Sequence, residues 1–153
     1  MTQYMSLNDI YKELQQKPEY MDLERGATSD EIKNIEQILG VKLPDQYVNF
    51  LQIFGFMMAD GLCINGVCPP ELNAYVSIIE FTKDRRSEVF YENGIQPCGD
   101  NAVVIHDNGE SYVLLFCEGH PQAGKIVWRH LAERYQDSES FDNFNEFLTF
   151  WIN

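Results

Sequence analysis

Positive charge is scarce in this sequence. Only 11 lysines and arginines stand against 24 aspartates and glutamates, which gives a formal net charge of -13 at pH 7. Such a surplus of acids repels phosphate backbones and anionic lipid headgroups, so we expect neither direct nucleic-acid binding nor membrane binding. The charge suits a basic protein partner, whose encounter with the chain electrostatic steering would accelerate. Solubility alone is the competing explanation of the acidic balance.

Long apolar runs are missing as well, since none approaches the roughly 20 residues that a membrane span requires. The opening residues, MTQYM, lack the basic segment followed by an apolar core that marks a secretory signal. We therefore expect a cytoplasmic protein with reduced thiols. With 153 residues, of which 44% are hydrophobic, the chain is predicted to form one domain over residues 1–153.

Cysteine is limited to four residues, and their spacing gives little support for a metal site. Four residues separate Cys63 from Cys68, which is the widest spacing typical of paired zinc ligands, and Cys117 with His120 could complete a Cys3His ligand set. These spacings match no standard zinc module, and a disulfide between the first two cysteines is disfavoured in a reducing compartment. We predict that the cysteines are small buried side chains and that the protein has no metal ion or other cofactor.

Known catalytic motifs are also absent. The sequence contains no P-loop, no dinucleotide-binding fingerprint and no Gly-x-Ser-x-Gly nucleophile motif. His106 and Asp107 resemble a base beside a carboxylate, but adjacent residues of a strand point to opposite faces of its sheet. We predict no catalytic residues and a protein that is not an enzyme, with a small enzyme or metal protein as the remaining alternative.

Three helices are predicted in the first third of the chain. The first is capped by Ser6 and ends near residue 17, the second is capped by Thr28 and ends at Gly40, and the third runs over 44–54. A short extended piece is allowed over 20–23. The apolar residues at helical spacing that we expect in the core are Leu7, Ile10, Tyr11, Leu14, Ile32, Ile35, Ile38, Leu39, Tyr47, Phe50, Leu51 and Phe54.

Short extended runs follow the third helix. Asn65-Gly66 is predicted to be the turn of a hairpin between strands at 62–64 and 67–68, because both residues tolerate a positive φ. A fourth helix is predicted from Ser77 to about Phe90 or Tyr91.

The last third of the chain is predicted to be mainly antiparallel sheet. Asn108-Gly109 should form a hairpin between strands at 102–106 and 111–117, and a further strand is expected at 125–129. Ser140 is predicted to cap a closing helix with an aromatic face. This order of elements predicts an α+β fold, in which helices pack on a mainly antiparallel β-sheet.

The order of residues from about Gly26 onward resembles the SUKH superfamily of Smi/Knr-like proteins. The most specific part is the pattern Leu43-Pro44-x-x-Tyr47-x-x-Phe50-Leu51, which precedes a glycine and follows a capped helix. The later half is similar too, with an Asp-Asn-Gly turn at 107–109, a strand carrying Val127-Trp128, and a closing aromatic helix. The resemblance implies the SUKH fold for the whole domain.

The resemblance also implies a function in binding other proteins. Bacterial members of the superfamily are known mostly as immunity proteins that neutralise toxins, often nucleases, whereas fungal members are regulatory interaction domains in cell-wall synthesis. We expect a non-enzymatic cytoplasmic protein that binds a basic toxin domain, with a regulatory or scaffold domain as the alternative. An acidic groove would then cover the basic surface with which the toxin binds its substrate.

Acidic residues in loops and turns beside the sheet are the candidates for partner contact. The predicted partner-binding residues are Asp60, Asp107, Glu110 and Glu118, with ordinary solvated turn residues as the competing explanation. The remaining acids, at positions 19, 22 and 24 and at 137, 139, 142 and 146, are either ordinary solvated residues or one side of a charge-complementary interface.

Overall fold

The computed structural model describes residues 6–17, 19–59, 62–88, 97–130 and 136–152. Within these ranges the helices are α1 (Leu7–Leu14), α2 (Ser29–Leu39), α3 (Asp45–Phe54), α4 (Ile78–Arg86) and α5 (Phe144–Ile152), and a short 3-10 helix spans Pro70–Leu72. The strands are β1 (Met21–Asp22), β2 (Met57–Ala59), β3 (Leu62–Ile64), β4 (Ala102–Asp107), β5 (Ser111–Phe116), β6 (Ile126–His130) and β7 (Gln136–Phe141). The predicted α+β fold is confirmed.

The strands form two antiparallel sheets, in the orders β1-β2-β3 and β4-β5-β6-β7. Asn65, directly after β3, joins the two sheets. Its backbone N–H donates to the Ile105 carbonyl oxygen at 2.7 Å, and its side-chain amide donates to the Val104 carbonyl oxygen at 3.0 Å. The predicted turn at Asn108-Gly109 is confirmed, since it connects β4 to β5 and Gly109 has a φ of +89°.

The prediction that Asn65-Gly66 is a hairpin turn is wrong. The partner of β3 is β2, so the chain reverses before β3 and not after it. Gly66 forms a parallel bridge with Ser77, and a Cβ added to Gly66 would collide with the Gly55 carbonyl oxygen. Asn65 is needed because its buried side-chain amide binds the backbone of β4. Gly66 is needed because the backbone at Gly55 comes too close to leave room for a side chain. Neither residue forms a turn.

The predicted helix termini are largely confirmed in the first half. Thr28 forms a capping box with Glu31, and Gly40 ends α2 in the left-handed conformation with a φ of +66°. Pro44 is the N-cap of α3 and not its first helical residue. Ile38, which we expected in the core, is 45% exposed because it lies at the edge of the apolar stripe of α2.

The core lies on both faces of the four-stranded sheet. On one face, α1, α2, α3 and α5 pack around Phe50, whose ring centroid lies 5.8, 5.1 and 5.2 Å from those of Tyr47, Phe54 and Phe144. On the other face, a smaller cluster gathers around Tyr112 and Phe116, and the α4 side chain Phe81 packs against it. This burial on both faces explains why β4 and β5 are continuous apolar runs.

The end of the chain contains a strand, β7, that the sequence did not predict. Residue 140 belongs to β7 and is not a helix cap. Asn143 instead caps α5, because its side-chain oxygen accepts the Glu146 N–H at 2.9 Å.

Helix α4 ends at Arg86, earlier than expected, and the predicted end near Phe90 or Tyr91 lies outside the described residues. None of the helices in the described ranges combines the length and apolar character that crossing a bilayer requires.

Candidate functional site

The three predicted partner-binding residues that the structure describes, Asp107, Glu110 and Glu118, do not form one surface. Asp60 lies outside the described residues. Asp107 is withdrawn from the surface, since its side chain is 6% exposed and both carboxylate oxygens accept hydrogen bonds from Arg85 at 2.7 and 2.8 Å. One of these oxygens also accepts the Gly109 N–H at 2.9 Å. Asp107 therefore stabilises the β4–β5 hairpin and holds α4 against it.

Glu110 and Glu118 are exposed, but they lie at opposite ends of β5. Six strand residues separate them, which corresponds to about 20 Å at ~3.4 Å per residue. The N–H of Glu118 donates to the Lys42 carbonyl oxygen at 3.0 Å, so this end of β5 contacts the segment between α2 and α3. A partner contact at either residue remains a prediction.

His106 and Asp107 point to opposite faces of the sheet. The imidazole Nδ1 lies 2.8 Å from the Cys63 carbonyl oxygen, and the ring centroid lies 4.6 Å from that of Trp151 and 5.8 Å from that of Trp128. Burial lowers the pKa of His106 below its ordinary value of 6.5, although the contact with Cys63 opposes the shift. The imidazole is a packed part of the core, with no contact to Asp107 that would make a base–carboxylate pair.

We expect the protein to lose stability when His106 is protonated. Because the pKa of His106 is lower in the folded state than in the unfolded state, the unfolded state binds more protons at mildly acidic pH. The stabilisation that depends on neutral His106 should therefore be fully present above about pH 6.5, and the free energy of unfolding should fall as the pH drops below that value. Urea titrations at pH 7.5 and 5.5 would measure the free energy of unfolding at each pH. The difference between the two values should be smaller for His106→Gln than for the wild type, and an equal difference would contradict this role of His106.

The four cysteines are free thiols in buried or half-buried positions. Burial raises the pKa of the Cys98 thiol to about 11 and that of the Cys117 thiol to about 12, which makes both poor nucleophiles and poor metal ligands. Burial also raises the pKa of Cys63. Within the described part of the chain, no three His, Cys, Asp or Glu side chains are grouped so that they could hold a metal ion.

The strongest candidate for a binding surface is a concave region around β1. Two adjoining hollows of about 510 and 540 Å³ share the residues Met21, Asp22 and Glu24. Glu71, from the 3-10 helix, lines the first hollow. We call the two hollows together the acidic cleft. Of the described residues that line it, Arg25 alone carries a positive charge.

The acidic cleft is held in place by α3 and by two tyrosines. The N–H of Leu23 donates to the Phe54 carbonyl oxygen at 2.8 Å, so the wall of the cleft is fixed to the end of α3. The Tyr20 hydroxyl donates to Asp22 Oδ2 at 2.6 Å, and the Tyr20 ring packs edge-on against Tyr11. Burial and then this hydrogen bond raise the pKa of Tyr20, so its hydroxyl stays a donor at neutral pH.

The electrostatics of the acidic cleft favour cations. Arg25 is engaged by Glu31, to which its guanidinium nitrogens donate at 2.6 and 3.0 Å, and these hydrogen bonds lower the pKa of Glu31 to about 2. Glu24 and Glu71 are exposed to solvent. Met21, which is 43% exposed, adds an apolar contact between the acids. The arrangement is complementary in charge to a basic surface that also presents apolar groups.

The sequence alone indicated only half of the acidic cleft. The acids near positions 19–24 were recognised as a possible interface, but Glu71 lies far along the chain and reaches the cleft only through the packing of the 3-10 helix. No local pattern predicts that contact.

Comparison with protein families gives one match that covers most of the chain. The family model SUKH_5, described as SMI1-KNR4 cell-wall, matches residues 7–152. The match includes every helix and strand described above. No curated protein matches the chain.

Proposed function

The chain belongs to the SMI1-KNR4 family of the SUKH superfamily, and from that premise we propose that it is an immunity protein that neutralises a toxin by binding it. The acidic cleft in a chain of net charge -13 is the observation that carries the proposal. Binding of this kind needs no catalytic residues and no cofactor. We place the protein in the cytoplasm, where an internal toxin would act.

The proposed mechanism is coverage of a basic surface on the toxin. A nuclease binds the phosphate backbone of its substrate through lysines and arginines. The carboxylates of Asp22, Glu24 and Glu71 would pair with those cations and exclude nucleic acid by occupancy and by charge. Attraction between opposite charges would also speed association, and this advantage should decrease at high salt.

A pair of charge-reversed variants tests the acidic cleft. Glu24→Lys/Glu71→Lys should raise the Kd for the toxin about 10- to 100-fold at low salt, mainly through slower association, because it replaces attraction with repulsion at the contact. Glu110→Lys/Glu118→Lys changes the net charge by the same amount at exposed positions elsewhere. Surface plasmon resonance with a catalytically inactive toxin would measure both rate constants.

The control decides whether the site or the total charge matters. Binding that weakens in the first double variant and is nearly unchanged in the second supports the acidic cleft. Equally weakened binding by both double variants would show that net charge causes the effect. Weakened binding by the second double variant alone would show that the partner contacts Glu110 or Glu118. Either of these results would overturn the acidic cleft as the binding surface.

A regulatory or scaffold domain is the second candidate function, because the description of the matching family refers to the cell wall. Co-expression with the product of the neighbouring gene separates the two candidates. Growth arrest by that product alone, relieved by this chain, supports the immunity role. The immunity proposal fails if the product is harmless alone, or remains equally lethal when this chain is present.

A further inference from the structure

Tyr75 is the most exposed of the large hydrophobic side chains in the described ranges, at 59%. It follows the 3-10 helix at Pro70–Leu72 and precedes Val76, which is completely buried. The chain is fixed to the core directly after Tyr75, since the Gly66 N–H donates to the Val76 carbonyl oxygen at 2.8 Å. Packing of the fold therefore requires an apolar residue at position 76 but not at position 75.

The backbone before Tyr75 adopts a conformation that its residues disfavour. Asn73 and Ala74 have φ angles of +49° and +66°, and they are the only residues other than glycine with a positive φ in the described part of the chain. Asparagine accepts the left-handed region with little cost, whereas alanine does so rarely. Such strain persists where the surroundings fix the chain on both sides, and it is common at ligand-binding positions. Here the two strained residues directly precede the exposed Tyr75.

The backbone that carries Tyr75 is held in place although the side chain is exposed. The Tyr75 N–H donates to the Leu72 carbonyl oxygen at 2.9 Å, and the Ser77 N–H donates to the Ala74 carbonyl oxygen at 3.1 Å. A loop held in this way loses little conformational freedom when a partner covers it.

The loop that carries Tyr75 forms one wall of the acidic cleft. Pro69, Glu71 and Leu72 line the first hollow of the cleft, and Cys68 and Ser77 line a further groove of about 370 Å³. That groove is also lined by Asp30 and by Glu31, which is paired with Arg25. Tyr75 thus lies in a loop whose residues line two concave regions that both contain acidic side chains.

We infer that Tyr75 is the aromatic anchor of the interface with a basic protein partner, inserting into an apolar pocket of that partner while Glu71 and Asp30, from the two hollows that its loop lines, pair with the partner's cations. The inference rests on the proposed function and deepens it by naming the central contact. Interface hot spots are enriched in tyrosine and surrounded by contacts that exclude water. A second copy of this chain is disfavoured as the occupant, because it would bring like charges together.

The test compares three variants in binding to the product of the neighbouring gene, used in a catalytically inactive form. Tyr75→Ala should raise the Kd at least about 30-fold. Phe150→Ala removes another exposed aromatic ring, 48% exposed on α5, and should change the Kd less than about twofold. Ala74→Gly relieves the positive φ, so it should keep or raise the unfolding temperature while it loosens the loop and weakens binding about threefold.

Each outcome supports or overturns the inference. Loss of binding in Tyr75→Ala, with an unfolding temperature equal to that of the wild type and normal binding by Phe150→Ala, supports it. Normal binding by Tyr75→Ala overturns the anchor and leaves the immunity proposal intact. Failure of the wild type itself to bind the toxin overturns both. Equal losses in Tyr75→Ala and Phe150→Ala would show a general dependence on surface aromatics and would also overturn the anchor.

Discussion

Replacement of Phe50 by alanine is expected to lower the free energy of unfolding by about 3 to 5 kcal/mol. The Phe50 ring is completely buried and contacts aromatic rings from α3 and α5 at centroid distances of 5.1 to 5.8 Å. Truncation removes the hydrophobic contribution of the ring and leaves a cavity that rigid neighbouring rings cannot fill. Because α3 also fixes the wall of the acidic cleft through Leu23, the loss should extend to that surface.

Chemical denaturation followed by tryptophan fluorescence would measure the effect of Phe50→Ala. The matched control is Phe150→Ala, in which a half-exposed phenylalanine is truncated in the same way. We expect the control to lose no more than about 1 kcal/mol, since about half of its side chain already contacts water. Full stability of Phe50→Ala together with loss of partner binding would show that Phe50 belongs to an interface and not to the core.

Replacement of Asp107 by alanine is expected to cost about 3 kcal/mol of stability. The change leaves the guanidinium of Arg85 in a buried position without its two hydrogen bonds to the Asp107 carboxylate. Arg85 keeps its ion pair with Glu88 at 2.7 Å and its position over the Tyr112 ring, which moderates the loss. The effect arises from a buried charge that is left only partly compensated, and not from the strength of one surface salt bridge.

A double-mutant cycle separates this effect from other consequences of the substitution. Arg85→Met removes the charge that Asp107→Ala leaves without its two hydrogen bonds to the carboxylate, so the double variant should be markedly more stable than the sum of the single losses predicts. Glu110→Ala, on the same hairpin but exposed, should change stability by less than about 0.5 kcal/mol. Additive losses in the cycle would show that Asp107 and Arg85 act independently and would contradict the buried-pair interpretation.

Local chemistry made the first half of the fold predictable. The Thr28–Glu31 capping box, the left-handed Gly40 and the apolar stripe of α3 depend on residues within a few positions of one another. For the same reason the Asn108-Gly109 turn was correctly predicted, since the residues that define it are adjacent. The family match over residues 7–152 agrees with the resemblance first seen in the pattern around Leu43-Pro44.

Long-range contacts explain where the sequence was misleading. The same dipeptide, Asn-Gly, is a turn at 108–109 and a junction between two sheets at 65–66. Nothing near Asn65 reveals that its amide binds the backbone of β4, 39 residues later in the sequence. Strand β7 was missed because its polar residues have low strand propensity, and only pairing with β6 makes it a strand.

The sequence by itself determined the acidic balance, both ends of α2, the fold class and the family, because these depend on composition and on short-range patterns. Only the tertiary structure decided which acids can act together. It withdrew Asp107 into an ion pair, separated Glu110 from Glu118 by the length of a strand, and brought Glu71 beside Asp22 and Glu24. Charge can be counted along a chain, but a surface that attracts a partner requires charges that are close in space and free in solvent.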